Sequence, residues 1–437
     1  MRRYERYKDT KIEWLGQIPK HWEIKKLRYL FNFNTGLSVT KAEFIEDGIN
    51  CINYGDIHAR YSFKLDLTNA ILPKIDATFI FEKPTCLLSK NDLVFFDTSE
   101  DLDGVGNCVV ISNLNGLQLL SGSHTIAAKP KQLLDSVFIR YSLMSKIIKS
   151  TIENKVTGIK VFSITQSILN SISVTFPPLY EQQQIADYLD QQTAKIDVLV
   201  QKQNKLIETL QEKKKSLINH VVTKGLNPDV PMKDSGIEWL GQIPKHWEMK
   251  KLKYLAIVRD VKQPYINDYD YIGLENIESW TGRYLPSKEE QHIEGIANLC
   301  FSGDVLFGKL RPYLAKCIIA NKQSLCSTEI LVLEPFQMIN QLIQYYMLSE
   351  NFINDVNGST YGTKMPRASW EYLRNLKLPL QSLTEQQQIA SYLDQQTAKI
   401  NELINKSKSM VELLKEHKQS LINHVVTGKI KVFKDFV

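Results

Sequence analysis

The 437-residue chain lacks the residue patterns that most catalytic and metal-binding proteins carry. Its six cysteines form no C-x-x-C pair and none lies beside a pair of histidines, which argues against a zinc site or a disulfide framework. No G-x-x-x-x-G-K-[ST] phosphate loop is present, since Gly308-Lys309 is followed by Leu310. The string nearest to a [DN]-P-P-[YF] methylation motif is FPPLY at 176–180, which lacks the required acid or amide. We therefore expect no catalytic, metal or cofactor site in this chain.

Long apolar runs are missing as well. No stretch approaches the roughly 18 consecutive apolar residues of a membrane-spanning helix. The basic N-terminal string MRRYERYKDT is not followed by an apolar run, so no signal peptide is expected. The six cysteines are expected to be reduced thiols. Together with that expectation, these absences predict a cytoplasmic protein without a membrane partner. The formal net charge of +6 is compatible with a nucleic-acid partner, although many unrelated proteins are equally basic.

What the chain does contain is a duplication. Residues 8–30 and 233–255, here called the lead segments, are identical at 19 of 23 positions and share the string WLGQIPKHWE. A second pair is EQQQIADYLDQQTAKIDVLV at 181–200 and EQQQIASYLDQQTAKINELI at 385–404. Pro and Gly in the lead segments predict turns there, and their tryptophans are interpreted as packing anchors. Between the lead segments and the second pair, the two halves of the chain diverge.

The second repeated pair predicts long helices. Each opens a run of about 40 residues that contains no Pro and no Gly and closes on SLINHVVT. Counting in steps of 4, 3, 4, 3 from Ile185 and from Ile389, seven of eleven positions in each run are apolar, which is typical of a coiled-coil seam. Thr384 is the expected N-cap of the second helix. The alternative is an amphipathic helix packed on its own domain.

The diverged inserts, residues 31–155 and 256–359, carry short β-branched and aromatic runs bounded by turn residues, with helical stretches late in each. The predicted fold class is mixed α/β: two globular α/β domains joined by two long antiparallel coiled-coil helices, with a pseudo-two-fold internal repeat. The predicted domains are a lead segment plus the first globular domain, a central helix, a lead segment plus the second globular domain, and a C-terminal helix with a tail, at 1–180, 181–225, 226–384 and 385–437.

This arrangement favours a DNA-binding function. Duplex DNA has local two-fold symmetry, which dimeric readers match with paired half-sites. One chain with two unlike readers on matched helices is suited to two unlike half-sites at a fixed spacing. An adaptor whose two domains bind proteins is the alternative. A self-contained nuclease or methyltransferase is disfavoured by the missing motifs.

The sequence resembles the DNA-specificity subunit of type I restriction–modification systems. The resemblance rests on WLGQIPKHWE in both lead segments, on EQQQIA-x-YLDQQTAKI at both helix starts, and on GDVLFGKLRPYLAK in the second insert. It implies that the inserts are target recognition domains and that the helices are spacers. It also implies double-stranded DNA with a two-part target, two methyltransferase (modification) subunits that use S-adenosylmethionine for N6-adenine methylation, and restriction/translocase subunits that use ATP and Mg²⁺. We expect the polar Gln and Lys residues of the repeated helix starts to face these partners.

DNA-contacting residues are predicted from their chemistry. Arg and Lys donate to guanine or phosphate, Asn and Gln suit adenine, and hydroxyl groups serve either role. The loop that follows the strand DVLFG and the loop at 360–367 are the strongest candidates, with surface charge as the alternative for the former and an ordinary acidic turn for the loop at 97–101. The predicted contacts are Lys309, Arg311, Tyr313, Thr363, Lys364, Arg367, Lys160, Thr98, Ser99, His124, Asn53 and Tyr54.

Overall fold

The structure is a computed structural model that describes residues 3–12, 15–59, 61, 63–99, 102, 104–156, 162–265, 269–286, 295–360 and 365–432. The chain divides into two compact units, of which unit 1 comprises residues 1–202 and 411–437 and unit 2 comprises residues 203–410. Each unit therefore contains one half of each long helix. These helices begin at Leu179 and Leu383. The domain boundaries after residues 180 and 384 stay a prediction.

Unit 1 is built around a mixed sheet. Its strands are β1 Tyr7–Asp9, β2 Gln17–Pro19, β3 Glu23–Lys26, β4 Phe31–Thr35, β5 Ile49–Ile52, β6 Lys64–Asp66, β7 Lys74–Ile75, β8 Leu93–Phe96, β9 Thr98–Ser99, β10 Cys108–Asn113, β11 Leu119–Ser121, β12 Thr125–Pro130, β13 Phe162–Ser163 and β14 Ser173–Phe176. Its helices are α1 Leu27–Leu30, α2 Tyr54–Ala59, α3 Phe79–Glu82, α4 Ser136–Met144, α5 Lys146–Glu153 and α6 Gln166–Ser171, and the first long helix, α7 Leu179–Lys224, begins here. Five strands form a sheet in the order β4-β12-β8-β10-β6, where only β10 and β6 pair in parallel.

Unit 2 is built on the same plan, but the lengths of its strands, helices and loops differ from those of unit 1. Its strands are β15 Met232–Asp234, β16 Gln242–Pro244, β17 Glu248–Lys251, β18 Ala256–Val258, β19 Lys262–Pro264, β20 Tyr271–Ile272, β21 Ile296–Cys300, β22 Val305–Gly308, β23 Cys317–Ile319, β24 Ser324–Cys326, β25 Ile330–Pro335 and β26 Lys377–Leu380. Its helices are α8 Asn340–Met347, α9 Glu350–Gly358 and α10 Trp370–Leu373, followed by the second long helix, α11 Leu383–Val426. The two four-stranded sheets run β18-β25-β22-β23 and β19-β21-β24-β20.

The continuous apolar runs of the inserts have a simple cause. Side chains alternate between the two faces of a strand, so a strand covered on both faces is apolar at every position. In β8, Leu93 and Phe95 belong to one buried cluster, whereas Val94 and Phe96 belong to another. Each such fully buried side chain contributes about 1.5–3 kcal/mol to folding. The mixed α/β class predicted from these runs is confirmed.

In each unit, the lead segment closes the domain onto its long helix. Strand β3 pairs antiparallel with β14, which immediately precedes α7, and β17 pairs in the same way with β26, which precedes α11. Trp22 and Trp247 follow the turns of the lead segments and are completely buried. Their prediction as packing anchors is confirmed.

Within each unit the two helical halves run antiparallel. In unit 1, Lys418 binds Asp197 at 2.7 and 2.8 Å, and Val426 accepts a hydrogen bond at its carbonyl from Thr175, which precedes α7. In unit 2, Lys214 donates to Asn401, and the earlier part of α11 shares a buried cluster with the end of α7. These contacts confirm the predicted antiparallel pairing.

The predicted seam is correct at seven of its eleven positions in each helix, and from Ile196 and Ile400 onward every second position is wrong. Leu199, Leu206, Leu403 and Met410 are exposed, although the 4,3 count placed them in the seam, and so are His220 and His424. At each wrong position, the buried or half-buried residue lies one position later. These residues are Val200, Ile207, Lys214 and Val221 in α7, and Ile404, Val411, Lys418 and Val425 in α11. The count of seam positions relied on apolar side chains. In these helices, however, some leucines face outward and some polar residues face inward.

The start of α11 also differs from the prediction, which placed the N-cap at Thr384. The helix begins at Leu383, and Thr384 lies within its first turn. Ser382 serves as the cap instead, since its hydroxyl accepts from the Glu385 amide at 3.4 Å and its carbonyl accepts from the Gln386 amide at 2.9 Å.

Candidate nucleic-acid interface

In unit 2, two of the predicted DNA-contacting loops meet. The Lys309 amide donates to the Glu329 carbonyl at 2.8 Å, and the Lys309 carbonyl accepts from the Ala368 amide at 2.9 Å. Leu310 and Arg367 form an antiparallel bridge beside this pair. The backbone thus holds the loop after β22, the residue before β25 and the segment 366–368 in one rigid assembly.

The loop after β22 then turns sharply. Arg311 adopts a left-handed conformation with φ of +51°, and its amide donates to the Pro366 carbonyl at 2.8 Å. A non-glycine residue in this region costs on the order of 1 kcal/mol, and such strain is concentrated at functional sites. Pro312 is buried, whereas Arg311 and Tyr313 are exposed. The turn therefore presents the Arg311 and Tyr313 side chains to solvent.

The same backbone assembly is present in unit 1. The Asp97 amide donates to the His124 carbonyl at 3.1 Å, and the Asp97 carbonyl accepts from the Ile164 amide at 2.8 Å. Thr98 pairs with Ser163 in the antiparallel ladder of β9 and β13. Position by position, Asp97 corresponds to Lys309, His124 to Glu329, and Ser163 to Arg367. We call each set of three residues a corner set.

The corner sets differ in charge. In unit 1, Nδ1 of His124 lies 3.2 Å from Oδ1 of Asp97, and His124 is in a left-handed conformation with φ of +56°. In unit 2, Nη2 of Arg367 donates to Oε1 of Glu329 at 2.9 Å. Each set therefore contains one acid–base pair. The basic side chains of these pairs are 65% and 61% exposed, whereas both acids are 29% exposed.

Other predicted contacts in unit 1 lie within the fold. The Asn53 carboxamide accepts from the Ser123 amide at 2.8 Å and donates to the Cys51 carbonyl at 3.3 Å. The Tyr54 ring packs edge-on against Phe96, with 5.5 Å between ring centres. Ser99 is buried and Thr98 is half-buried. Contact of these four residues with DNA stays a prediction.

Three predicted residues, Lys160, Thr363 and Lys364, lie outside the described residues. Glu329 was missed by the sequence reasoning because it is 20 residues from Lys309 and precedes a different strand. A signal was nevertheless present, since an acidic residue stands directly before the apolar run ILVLEP.

The repeated motif at the helix starts fastens each helix to its lead segment. Glu181 is 1% exposed and accepts from Nε1 of Trp22 at 2.9 Å and from the Tyr4 hydroxyl at 3.2 Å, with Nε2 of His21 at 2.6 Å. Burial and the Glu181 carboxylate raise the pKa of the Tyr4 hydroxyl far above its usual range, so that Tyr4 stays a donor. In unit 2, Glu385 accepts from Trp247 at 2.9 Å and contacts His246 at 3.0 Å.

The glutamines that follow were expected to face partners, and for Gln182 and Gln386 this expectation is wrong. Both are buried. Gln182 accepts from the Asp135 amide at 2.9 Å and Gln386 from the Ile339 amide at 2.9 Å, which fixes a domain helix to each long helix. Gln183, Gln191, Lys195, Gln387, Gln395 and Lys399 are exposed.

Among the described residues, no group of three His, Cys, Asp or Glu side chains is placed to hold a metal ion. No helix in the described part of the chain is long and apolar enough to cross a membrane. All six cysteines are free and buried.

The chain has two α/β domains, each fastened to paired long helices. The two domains share the same backbone arrangement at the candidate site but carry different side chains there, and this defines a duplicated recognition protein. The sequence profile of the type I restriction modification DNA specificity domain matches residues 19–209 and 244–413. The chain therefore belongs to the family of type I restriction modification DNA specificity proteins and carries two copies of its domain. The resemblance carried by the repeated motifs is confirmed.

Similar proteins agree with this assignment. The chain is 27% identical to the type I restriction enzyme MjaVIII specificity subunit of Methanocaldococcus jannaschii, over 72% of this chain and 75% of that protein. It is 21% identical to the EcoDI specificity subunit of Escherichia coli, over 68% and 71% of the two chains. Its fold is similar to that of the HsdS subunit from Thermoanaerobacter tengcongensis, with a TM-score of 0.52, 15% identity and coverage of 94% and 98%. A chain from a type I restriction–modification complex gives a TM-score of 0.66 at 15% identity, with coverage of 94% and 99%.

Proposed function

We propose that this chain is the non-catalytic DNA-specificity subunit of a type I restriction–modification complex, and that each α/β domain reads one half of a two-part target in duplex DNA. The observation that carries the proposal is the pair of equivalent backbone frames with different corner sets. Asp97, His124 and Ser163 stand where Lys309, Glu329 and Arg367 stand in the other domain. A backbone arrangement that is the same in both domains, while the side chains on it differ, fits two unlike half-sites.

The long helices supply a docking surface for partners in this proposal. Leu199 and Leu403 occupy equivalent positions of the two helices, and both are exposed, as are Leu206 and Met410. Apolar side chains at regular spacing on a solvent-facing helix mark interaction surfaces. We assign them to two modification subunits, one on each helix. S-adenosylmethionine, ATP and Mg²⁺ belong to the modification and restriction subunits, and the assembled complex acts on DNA in the cytoplasm.

Replacing residues 31–155 with the corresponding insert of a relative tests the proposal directly. The chain is coexpressed with the modification subunits of its own system, and methylated adenines are mapped across the genome of the host. We expect the wild-type chain to produce one two-part motif and the replaced chain to keep one half of it unchanged while the other half becomes new. A wild-type pattern without a two-part motif, or a replacement that alters both halves, would contradict the proposal.

Glutamate substitutions test the docking surface. A charge placed in an apolar contact must be desolvated, so Leu199→Glu and Leu403→Glu should each weaken binding of one modification subunit at least tenfold. The mass of the complex, measured by native mass spectrometry, should fall by one modification subunit in each single variant and by two in the double variant. Asn405→Glu, an exposed change on the same helix as Leu403 but outside the repeated helix start, is the control and should leave the mass unchanged. Full retention of both subunits by the double variant would place the docking surface elsewhere.

A further inference from the structure

We propose that the corner sets are the specificity-determining residues of the two domains, and that in each set the acid positions the base. Asp97 would hold His124 in the first domain and Glu329 would hold Arg367 in the second. This inference rests on the proposed function and adds to it the identity of the side chains that read the target.

In each corner set, main-chain hydrogen bonds hold the backbone to separate segments of the chain. Asp97 has both its amide and its carbonyl engaged, with His124 and Ile164, and the Lys309 backbone is engaged in the same way with Glu329 and Ala368. Main-chain hydrogen bonds to two separate segments fix the positions from which the side chains project. A side chain on a fixed backbone retains its direction before DNA arrives, which reduces the entropy lost on binding.

Each corner set contains one acid that is paired with one basic side chain. The acids are more covered than their basic partners in both domains, at 29% against 65% and 61%. An exposed ion pair contributes little to stability because solvent screens it and two side chains lose freedom. Its occurrence in both corner sets, between the first and second residues in unit 1 and between the second and third residues in unit 2, is better explained by orientation of the exposed base than by stability. Glu329 and Asp97 are therefore positioning residues, not DNA contacts.

The Arg367 side chain has the hydrogen-bond donors needed to read a guanine. The Arg367 guanidinium has five N–H donors, of which Nη2 is directed at Glu329. The remaining donors suffice for the two-point contact with O6 and N7 of guanine, the commonest specific contact of arginine in the major groove. An imidazole cannot make this contact, so the His124 set must select its base differently. The geometry thus assigns a guanine to the second half-site and a different contact to the first.

The experiment uses the whole chain with its modification subunits, and the readout is methylation of a duplex library randomised in both half-sites. Arg367→Gln should reduce discrimination at one position of the second half-site at least tenfold and leave the first half-site unchanged. His124→Gln should do the same at one position of the first half-site. Arg374→Gln is the matched control, because Arg374 also forms an exposed pair with a glutamate, Glu371, in the same unit at 3.4 Å.

The positioning role has its own readout. Glu329→Ala should lower discrimination at the position that Arg367→Gln affects, whereas Glu329→Gln, whose carbonyl still accepts from the guanidinium, should restore most of it. A merely structural role would lower methylation of all library members equally and would not be rescued in this selective way. Thermal unfolding of each variant verifies that the chain is folded.

Transplantation is the strongest form of the test. The triple variant Lys309→Asp, Glu329→His, Arg367→Ser places the first corner set in the second frame, and we expect it to change the second half-site only. If Arg367→Gln and the transplant both leave a two-part motif unaltered, the corner sets are not specificity-determining, although the proposed function stands. If the wild-type chain selects no two-part motif, the proposed function itself fails. Should the triple variant not fold, the single variants decide the question.

Discussion

A chain carrying Glu181→Ala is expected to lose about 3–5 kcal/mol of its free energy of unfolding, the largest loss that we predict for any single substitution in the repeated motifs. Glu181 is almost fully buried, and it accepts from the Trp22 indole and the Tyr4 hydroxyl. Removal of its carboxylate leaves these buried donors without their acceptor. The affected contacts join the start of α7 to the first lead segment, so unit 1 should unfold first.

The chain provides its own matched control for this prediction. Glu385→Ala removes the equivalent carboxylate in unit 2, which accepts from Trp247 and contacts His246 but is 24% exposed. Water can replace part of the hydrogen bonding that Glu385→Ala removes, and we expect the free energy of unfolding to fall by about 1–3 kcal/mol. Urea denaturation followed by tryptophan fluorescence measures both variants. Equal losses for the two variants would mean that burial of Glu181 does not determine its contribution.

The second large effect is a gain in stability. Lys214 and Lys418 occupy equivalent positions on the two helices, but their partners differ. Lys418 binds the Asp197 carboxylate, whereas buried Lys214 donates to the Asn401 amide oxygen at 3.1 Å and the Trp280 carbonyl at 3.4 Å. Burial lowers the pKa of Lys214 from 10.5 to about 8, with a smaller contribution from Arg283, and Glu278 opposes the shift. A charged ammonium is therefore held there without a carboxylate.

This pKa has a defined consequence for the pH dependence of stability. Between pH 8 and 10.5 the unfolded chain retains the Lys214 proton and the folded chain has released it, so stability rises with pH across that window. Below pH 8 the folded state bears a penalty on the order of 3 kcal/mol. Asn401→Asp supplies the missing carboxylate, as in the Asp197–Lys418 pair, and should stabilise the chain at pH 7 by about 1–3 kcal/mol.

Denaturation of the wild-type chain and of Asn401→Asp at pH 7 and at pH 9.5 measures this effect. The difference between the two chains should shrink at the higher pH, because the wild-type lysine is then neutral when folded. The charged residues that surround Lys214 are Glu208, Glu212, Lys215, Glu278, Arg283 and Lys408. Their effects are common to both chains and cancel in the difference. Asp197→Asn, the reverse change on the other pair, should destabilise, and a stabilising result there would contradict the account.

Several features of the candidate site were within reach of the sequence, and others were not. The loop after DVLFG was identified because charged residues follow a buried strand. That Lys309, Glu329 and Arg367 form one set was not predictable, since they are brought together by main-chain pairing between segments far apart in sequence. Asn53 was proposed for its base-reading chemistry, but the fold uses its amide internally, and residue type alone does not distinguish these roles.

By itself, the sequence determined the architecture. The sequence shows a duplication, two long runs without Pro and Gly, and strands that are apolar on both faces. Each of these features has a local physical cause that can be recognised without knowledge of the fold. The tertiary structure alone decided the register of the helix seam, because Leu199 and Leu403 are as apolar as true seam residues and only the position of the opposite helix separates the two faces. It also decided which exposed charges are paired and which segments form each corner set. These depend on contacts between residues that are distant along the chain, and composition and periodicity carry no information about such contacts.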